Sequence, residues 1–478
     1  MTHYSGTPRS LVWFRGKDLR LADHAPLSVA LDRGGDLICL FVLDPHFFAQ
    51  ERVRTMPHRI QFLLESLKSL EANIAHLGGR LFIVEGRSVD LVPRLAERWK
   101  VDRVLASRWT EPVGVARDRR IAEALGRAGV GFELFEGETL APPGSILTGE
   151  GRLHSVFTPF ARAFERDAPI ARPFAAPKRL PPPPRDLEPV ETSPAPSPGE
   201  LGLAANPRIL PGGERAARER LSRFMEDALA DYPEARDRMD EEGTSRLSQD
   251  LKFGTLSPRA IWAAVEGARP GPGAARGFRN ELLWREFAYH WLHARPDLLT
   301  RPFRRAFEAF PWRRDGSLFQ AWAEGRTGYP VVDAAARQLL TTGFVHNRAR
   351  MIAASFLTKH LGLDFRMGEA HYLKWLTDGD WAINDMGWQW SAGCGCDAQP
   401  WFRVFNPVLQ GKKFDPEGLY VKRFLPELTS LDARWIHEPW KAPDAMRNRL
   451  GYPAPVVDHG IARAAFLARA QAHLKAPA

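Results

Sequence analysis

Cysteine is scarce in this chain, which has three cysteines among 478 residues: Cys39, Cys394 and Cys396. Three thiols do not make a disulfide framework, and the close pair Cys394 and Cys396 lacks the second pair that a zinc or iron–sulfur site needs. The first residues, MTHYSGTPRS, lack the apolar segment of a signal peptide, and no apolar run is long enough to span a bilayer. We therefore expect a cytoplasmic protein without a membrane anchor.

Two common nucleotide-binding motifs are also missing. No GxGxxG follows the first apolar run, and GxxxxGK followed by Ser or Thr occurs nowhere. The N-terminal half is therefore not an obvious dinucleotide or nucleoside triphosphate site. The chain does have an excess of positive charge, with 66 Lys and Arg against 57 Asp and Glu and a formal net charge of +9. This excess favours a polyanionic partner, although basic chains are common.

The N-terminal part alternates short apolar runs with amphipathic segments. The apolar runs, typical of buried parallel strands, are residues 11–14, 37–43, 81–84, 101–106 and 131–135. Helical patterns lie between them, notably at 58–77 and 89–99. This alternation predicts an α/β domain with a doubly wound, Rossmann-like parallel sheet over residues 1–136.

The remainder of the chain has a different character. Residues 137–214 are predicted to be an interdomain linker, which is proline-rich from Asp167 onward and includes the stretch SPAPSPG. After Glu214 helical periodicity dominates, so an all-α domain is predicted over 215–478. The length of the chain also favours two domains, because it exceeds the size at which a single hydrophobic core usually suffices.

An aromatic segment in the helical half, GWQWSAGCGCDAQPWFRVFNP from Gly387, is the least expected stretch of the sequence. Trp388 and Trp390 are two apart, a run of small residues follows, and Trp401 and Arg403 come next. Aromatic faces beside a guanidinium suit stacked bases and phosphates, whereas a buried aromatic cluster is the alternative.

Four polar constellations in the second half of the chain point to a ligand. They are the segment GTSRLS at 243–248, the helical face of Glu281, Trp284 and Arg285, the face of Asn347, Arg350 and Met351, and the run Asp378, Gly379, Asp380 and Asn384. Arg348 points away from the Asn347 face, and Asp378 is expected to pair with Arg350, because a buried guanidinium needs a carboxylate. A plain helix N-cap for the first and a solvated helix face for the second are the alternatives.

The sequence resembles the photolyase and cryptochrome flavoproteins over nearly its whole length. The motifs that carry the resemblance, in this order, are VWFRGKDLRL, GTSRLS, NELLWREF, TGYPVVDAAARQL, HNRARM, DGDWAIND, GWQW, FRVFNP and FDPEG. The similarity is greatest to class I cyclobutane pyrimidine dimer photolyases. It implies FAD bound to the helical domain, with reduced FAD as the active form. It also implies light-driven repair of ultraviolet-damaged DNA, by electron transfer to a flipped-out pyrimidine dimer.

The resemblance also assigns roles to individual residues. FAD would be bound by Tyr232, Thr244, Ser245, Arg246, Leu247, Ser248, Trp284, Arg285, Asn347, Arg350, Asp378, Gly379, Asp380 and Asn384. The catalytic residues would be Asn384, which faces flavin N5, together with Glu281, Trp284, Trp390 and Met351. DNA would be contacted by Arg236, Glu281, Trp284, Asn347, Arg348, Trp390 and Arg403. No metal is expected.

The electron-transfer positions depart from the family pattern. Relatives commonly reduce photoexcited flavin through three tryptophans, and the matching positions are Trp388, Phe365 and Trp312. A phenylalanine ring is a much poorer electron donor than an indole. We therefore expect either slow photoreduction or a detour, for which Trp375 and Trp381 are candidates.

Comparison within the resembling family narrows the substrate and the antenna. Six-four photolyases have histidines where Asn347 and Met351 stand, and the iron–sulfur branch needs four cysteines, so a cyclobutane dimer is expected. Folate-binding relatives have Asn-Glu in place of Val113 and Gly114 and a lysine in place of Leu299, which disfavours methenyltetrahydrofolate. A deazaflavin, another flavin or no antenna remain open.

Two other functions remain as alternatives. A blue-light cryptochrome would share the fold and FAD but signal through a protein partner, and Asn384 disfavours it because plant and animal cryptochromes have Asp or Cys there. A non-catalytic DNA-binding flavoprotein is the third alternative. A monomer is expected.

Overall fold

The computed structural model describes residues 7–268 and 271–474, and its first feature is a five-stranded sheet. The strands are β1 (Arg9–Phe14), β2 (Asp36–Leu43), β3 (Leu81–Glu85), β4 (Arg103–Ser107) and β5 (Gly131–Phe135). Every neighbouring pair is parallel, in the order β3-β2-β1-β4-β5. The order reverses between β1 and β4, so the predicted doubly wound sheet is confirmed.

The remaining regular structure is helical. The α-helices are α1 (Ala25–Arg33), α2 (Pro45–Phe48), α3 (Gln50–Arg54), α4 (Pro57–His76), α5 (Ser88–Arg98), α6 (Pro112–Arg127), α7 (Phe157–Asp167), α8 (Glu214–Arg223), α9 (Tyr232–Ala235), α10 (Ser248–Phe253), α11 (Pro258–Ala268), α12 (Pro272–Ala294), α13 (Gly316–Ala323), α14 (Pro330–Thr342), α15 (Asn347–Ser355), α16 (Phe365–Trp375), α17 (Trp381–Ala392), α18 (Pro407–Phe414), α19 (Leu419–Phe424), α20 (Asp444–Leu450) and α21 (His459–Leu474). Short 3₁₀ segments lie at Gly199–Leu201, Pro296–Leu299, Arg305–Phe307, Pro426–Leu428 and Pro439–Lys441, and π-helical turns at Phe224–Ala228 and Phe356–His360.

The sheet is buried on both faces, as the continuous apolar runs predict. Along β1, Val12 and Phe14 belong to one core layer, while Leu11 and Trp13 belong to the other. The predicted strand at 101–106 begins two residues late, at Arg103. Val101 is not in the strand because its N–H still donates to Ala96 O at the end of α5.

The segment predicted as a linker contains a helix of its own, because α7 lies within 137–214. Between Ala168 and Pro198 the chain has no helix or strand, as its proline content predicts. The boundaries 1–136, 137–214 and 215–478 stay a prediction. Packing groups the described residues into two compact units, one from 7–153, 161–227, 245–268 and 271–296, the other from 154–160, 228–244 and 297–474.

The second unit, which we call the helical unit, has its own core. Residues of α14, α15, α16 and α17 pack there, and Val332, Leu339 and Phe356 are fully buried. From 215 onward the described residues form no strand, in agreement with the predicted all-α domain. None of the helices in the described ranges combines the length and hydropathy that a membrane span needs.

Candidate functional site

The predicted ion pair between Arg350 and Asp378 is present in the helical unit. Arg350 Nη2 lies 2.8 Å from Asp378 Oδ2, and its Nε donates to Val345 O at 2.8 Å. The Asp378 side chain is 6% exposed and that of Arg350 is 25% exposed. Asp378 Oδ1 is buried without a hydrogen-bond donor among the described residues. A buried acceptor of this kind is where a ligand hydroxyl or N–H would bind.

Asp380 and Asn384 are positioned by the start of α17. The Asp380 carboxylate caps this helix by accepting from Ile383 N at 3.2 Å, which places Asn384 one turn into the helix. Asn384 is buried, and its Nδ2 donates to Glu369 O on α16 at 3.2 Å. The side-chain amide of Asn384 is therefore held by a backbone carbonyl rather than by another side chain.

Two buried carboxyl groups lie beside Asn384 and were missed by the sequence-based prediction. Burial, followed by the nearby charge of Asp385, raises the pKa of Glu369. Burial also raises the pKa of Asp385, but Gln389 Nε2 donates to both of its oxygens, at 2.9 and 3.1 Å. Because this amide favours the ionised form of Asp385, the shared proton resides on Glu369.

Glu369 gives the helical unit a pH-dependent stability. Above about pH 4.3 the unfolded chain releases the proton that folded Glu369 retains, so stability falls as pH rises through this window. We expect Glu369→Gln to lose less thermal stability than the parent between pH 5 and pH 8. Unfolding midpoints from tryptophan fluorescence measure this difference. The exposed Glu308→Gln should keep the parent's pH dependence, and an unchanged slope in Glu369→Gln would refute the assignment.

Trp388 is buried within a cluster of aromatic rings. Its indole contacts Tyr372 at 5.1 Å and Trp322 at 5.9 Å between ring centroids, both edge to face. Any side chain on Gly368 would overlap the Trp388 ring, so this glycine of α16 permits the close approach of α17. Trp388 is therefore held by packing on several sides.

Ring contacts between described residues do not connect all three positions that match the electron-transfer tryptophans of relatives. Trp312 and Phe365 are in edge contact, with ring centroids 6.4 Å apart. Among the described ring contacts none joins Phe365 to Trp388. Trp322 on α13 is instead an indole that does contact Trp388, and neither suggested detour, Trp375 or Trp381, shows such a contact. Spacing along the chain gave no signal for Trp322, because it lies 66 positions from Trp388 (388 − 322).

The Asn347 face behaves as its helical spacing predicts. Asn347 is exposed at the first position of α15, and its Nδ2 lies 3.8 Å from Met351 Sδ. Arg348 is directed elsewhere, where Nη2 pairs with Asp237 at 2.7 Å and the guanidinium stacks on Phe414 at 4.3 Å. Arg348 would have to exchange Asp237 for a phosphate in order to bind DNA.

The other predicted DNA contacts in the helical unit differ in accessibility. Trp390 is half-buried, while Arg403 is exposed and its carbonyl accepts from Lys359 Nζ at 2.8 Å. Arg236 stacks on Tyr232, with 5.3 Å between its guanidinium carbon and the ring centroid. Tyr232 is itself buried at the start of α9. Trp390 and Arg403 are thus available to a partner, whereas Arg236 is already in a ring contact.

The segment GTSRLS is divided between the two compact units, because Thr244 ends one stretch and Ser245 begins the next. Arg246 has a left-handed backbone with φ of +54°, which is unusual for a residue with a side chain. Gln249 donates its amide to Arg246 O, and Leu247 is buried just before Ser248 opens α10. Such a local strain is typical of ligand-binding segments.

The three residues of the predicted α12 face differ in how deeply they are buried. Glu281 and Trp284 are half-buried, and Trp284 meets Phe287 edge to face at 5.8 Å. Arg285 is buried, where its Nη1 donates to Glu138 O at 2.6 Å and its guanidinium lies 4.4 Å from the Tyr289 ring. These contacts already occupy Arg285, so its assignment to FAD stays a prediction, as do those of Gly379 and the other site residues.

Comparisons with known proteins identify the family of the chain. Residues 10–183 match the family described as DNA photolyase, and residues 278–472 match the FAD binding domain of DNA photolyase. A deoxyribodipyrimidine photo-lyase of Thermus thermophilus is 44% identical over 426 residues, which are 88% of this chain and 93% of that protein.

Solved structures give the same result for the fold. A class III photolyase from Agrobacterium tumefaciens superposes with a TM-score of 0.90 at 37% identity, covering 99% of both chains. A cryptochrome from Synechocystis gives 0.89 at 32% identity, covering 98% of this chain and 100% of that one. The predicted fold class and family resemblance are confirmed, while the closer similarity to class I stays a prediction. The chain belongs to the DNA photolyase family of FAD-binding enzymes.

Proposed function

We propose that this enzyme repairs cyclobutane pyrimidine dimers in DNA by means of blue light and reduced FAD. The observation that carries the proposal is the Arg350–Asp378 pair, in which Asp378, with its open buried acceptor, lies six residues before Asn384. When bound, reduced FAD supplies the electron that opens the cyclobutane ring and receives it back. The protein supplies binding, orientation and electrostatics.

The residues of the helical unit fit the polar parts of FAD. Asp378 would accept from its hydroxyl or N–H groups through Oδ1, while Arg350 pairs with Oδ2. Asn384 presents an amide that is fixed by Glu369 O, and the carboxyl of Glu369 itself is neutral. Asp380, Tyr232 and Thr244 would complete the set in this unit. Ser245 to Ser248, Trp284 and Arg285 stay predicted contacts of FAD.

The damaged bases would be bound by aromatic and apolar side chains. Trp390 and Trp284 would stack on them, Met351 would pack beside them, and Glu281 and Asn347 would form hydrogen bonds to their edges. Arg236, Arg348 and Arg403 would contact the flanking phosphates and make binding weaker at high salt.

The proposed stacking of Trp390 on the damaged bases can be tested against another tryptophan of α17. Alanine at Trp390 removes a stacking face worth about 1–3 kcal/mol, so we expect roughly tenfold weaker binding of dimer-containing DNA or a larger loss. Alanine at the exposed Trp381, on the same helix, should leave binding unchanged. Fluorescence anisotropy with a dimer-containing oligonucleotide measures both. Equal effects of the two substitutions would contradict the proposed role of Trp390.

A signalling cryptochrome is the second candidate, because one solved relative at 32% identity is a cryptochrome. The two functions share the fold and differ in what light accomplishes. Asn384 together with Glu281, Trp284 and Trp390 favours repair. A protein that binds FAD and reduces it in light, yet leaves dimers intact, would favour signalling.

An antenna chromophore of unknown identity remains part of the proposal. At the carboxyl ends of β1 and β4, Arg15 Nε and Trp109 Nε1 are buried donors without acceptors among the described residues. These donors would suit a chromophore rich in carbonyl oxygens. Methenyltetrahydrofolate stays disfavoured, because a side chain on Gly114 would lie only 2.7 Å from Trp109 Cβ, which leaves no room for the glutamate of folate-binding relatives.

A further inference from the structure

A small basic pocket lies in the helical unit, outside every residue assigned above to FAD or DNA. Its volume is 210 Å³, and the titratable residues that line it are Arg313, Lys359, His360, Asp458 and Arg469. Leu361 and Phe466 contribute to an apolar floor. Because drug-sized ligands need about 300–1,000 Å³, the pocket suits a small ligand or one end of a larger one.

Two arginines converge at Gly362, which lines the same pocket. Gly362 has a φ of +67°, and a Cβ there would lie 2.6 Å from Arg469 Nη1 and 3.3 Å from Arg313 Cδ. Arg313 N also donates to Gly362 O at 2.7 Å, which fixes the start of that side chain. The absence of a side chain at this position is what lets the two arginines approach each other.

The two arginines outnumber the carboxylates among the residues that line the pocket, where Asp458 is the acidic one. Arg313 Nη2 reaches Asp315 only at 3.7 Å, and Arg469 forms no ion pair within the described residues. Asp458 accepts from Ile461 N at 2.9 Å at the start of α21, so this carboxylate already serves as a helix cap. Burial, followed by the charge of Arg313, lowers the pKa of Arg469. An anion would relieve this repulsion.

A histidine pair forms a neutral part of the wall. His360 Nε2 and His459 Nδ1 are 2.8 Å apart. Burial, followed by the nearby His459 and Lys359, lowers the pKa of His360 to about 3, and burial lowers that of His459 as well. Both rings are therefore uncharged at neutral pH, and the positive charge that faces the pocket comes from the arginines.

We propose that this pocket binds a phosphate group, either as free inorganic phosphate or as the 5′-phosphate of a mononucleotide. Two planar guanidinium groups match the geometry of phosphate oxygens and can each bind a pair of them. Inorganic phosphate fits the volume entirely, whereas a nucleotide would enter by its phosphate end and leave its sugar at the opening. The proposal does not depend on DNA repair.

Calorimetric titration of the FAD-loaded protein with inorganic phosphate, and separately with adenosine monophosphate, tests the proposal. Arg469→Gln should raise the Kd by about tenfold or more, because it removes charge-assisted hydrogen bonds. Gly362→Ala should also raise the Kd, because the added methyl group displaces Arg469. Arg313→Gln is a further variant for the case that Arg469→Gln or Gly362→Ala fails to fold. Arg463→Gln, on the exposed side of α21, is the matched control and should leave the Kd unchanged.

The titrations distinguish the two sources of the phosphate group. Equal affinity for both ligands supports recognition of the phosphate alone, and tighter binding of adenosine monophosphate supports a nucleotide. The proposal is overturned if neither ligand binds the parent protein at millimolar concentration. It is equally overturned if folded Arg469→Gln and Arg313→Gln bind as the parent does, or if Arg463→Gln loses as much affinity as they do.

Discussion

Replacing Trp322 with phenylalanine is expected to slow the photochemical reduction of bound FAD by roughly tenfold or more, the change for each ~1.4 kcal/mol added to a barrier. Trp388 is the residue that the family resemblance places beside the flavin, and its ring neighbours are Trp322 and Tyr372. Phe365, in the usual relay position, makes no described ring contact with Trp388 and is a poor donor. We propose that Trp322 supplies electrons to Trp388 instead.

The surroundings of the two neighbours explain why Trp322 is the better donor. Trp322 Nε1 donates to Ala353 O at 3.0 Å, and the carbonyl dipole stabilises positive charge on the indole. Tyr372 is closer to Trp388, but its hydroxyl is buried without an acceptor in the described part of the chain, and burial raises its pKa. An oxidised tyrosine must lose its proton, which Tyr372 has nowhere to send.

Reciprocal substitutions make this test specific. Phe365→Trp should speed flavin reduction and should rescue Trp322→Phe, because it restores a relay toward Trp312. Trp312→Phe should have little effect in the parent but should abolish the rescue. Trp440→Phe, at a ring that contacts Tyr329, controls for loss of an indole elsewhere. The proposal is wrong if Trp312→Phe stops reduction in the parent while Trp322→Phe leaves it unchanged, with dithiothreitol as the electron source throughout.

Asp378→Asn is expected to produce the second large effect, a loss of bound FAD together with lower stability. The substitution leaves Arg350 without its counter-charge and removes the acceptor proposed for the cofactor. Breaking a buried ion pair costs about 3–5 kcal/mol, and the lower end applies because part of Arg350 remains exposed. Absorbance of released FAD gives the stoichiometry, and urea unfolding gives the stability.

The matched control for Asp378→Asn is Glu324→Gln, which breaks the exposed pair of Glu324 with Arg326. Exposed pairs contribute about 0–1 kcal/mol, so this variant should retain FAD and stability. Full FAD occupancy in Asp378→Asn would show that the buried oxygen of Asp378 does not face the cofactor.

The sequence was most informative where short-range pattern and burial agree. The five apolar runs became the five parallel strands, and the Arg350–Asp378 pair followed from the rule that a buried cation needs a carboxylate. The start of β4 was misplaced by two residues because Val101 N still donates to Ala96 O in the last turn of α5. Local patterns do not reveal where a neighbouring element ends.

Tertiary contacts account for what the sequence did not reveal. The contact of Trp322 with Trp388 joins α13 to α17, and the pairing of Glu369 with Asp385 joins α16 to α17. Neither has a fixed spacing along the chain. The ion pair of Arg348 with Asp237 is of the same kind and changes what DNA binding by Arg348 would require.

The central claim is that this enzyme splits cyclobutane pyrimidine dimers in light. The most direct measurement is chromatographic quantification of thymine dimers in an ultraviolet-irradiated oligonucleotide, after incubation with the FAD-loaded, chemically reduced protein under blue light and in darkness. The account predicts conversion of dimers to thymines in light and none in darkness. Intact dimers in light, with FAD fully bound and reduced and the DNA bound, would contradict it.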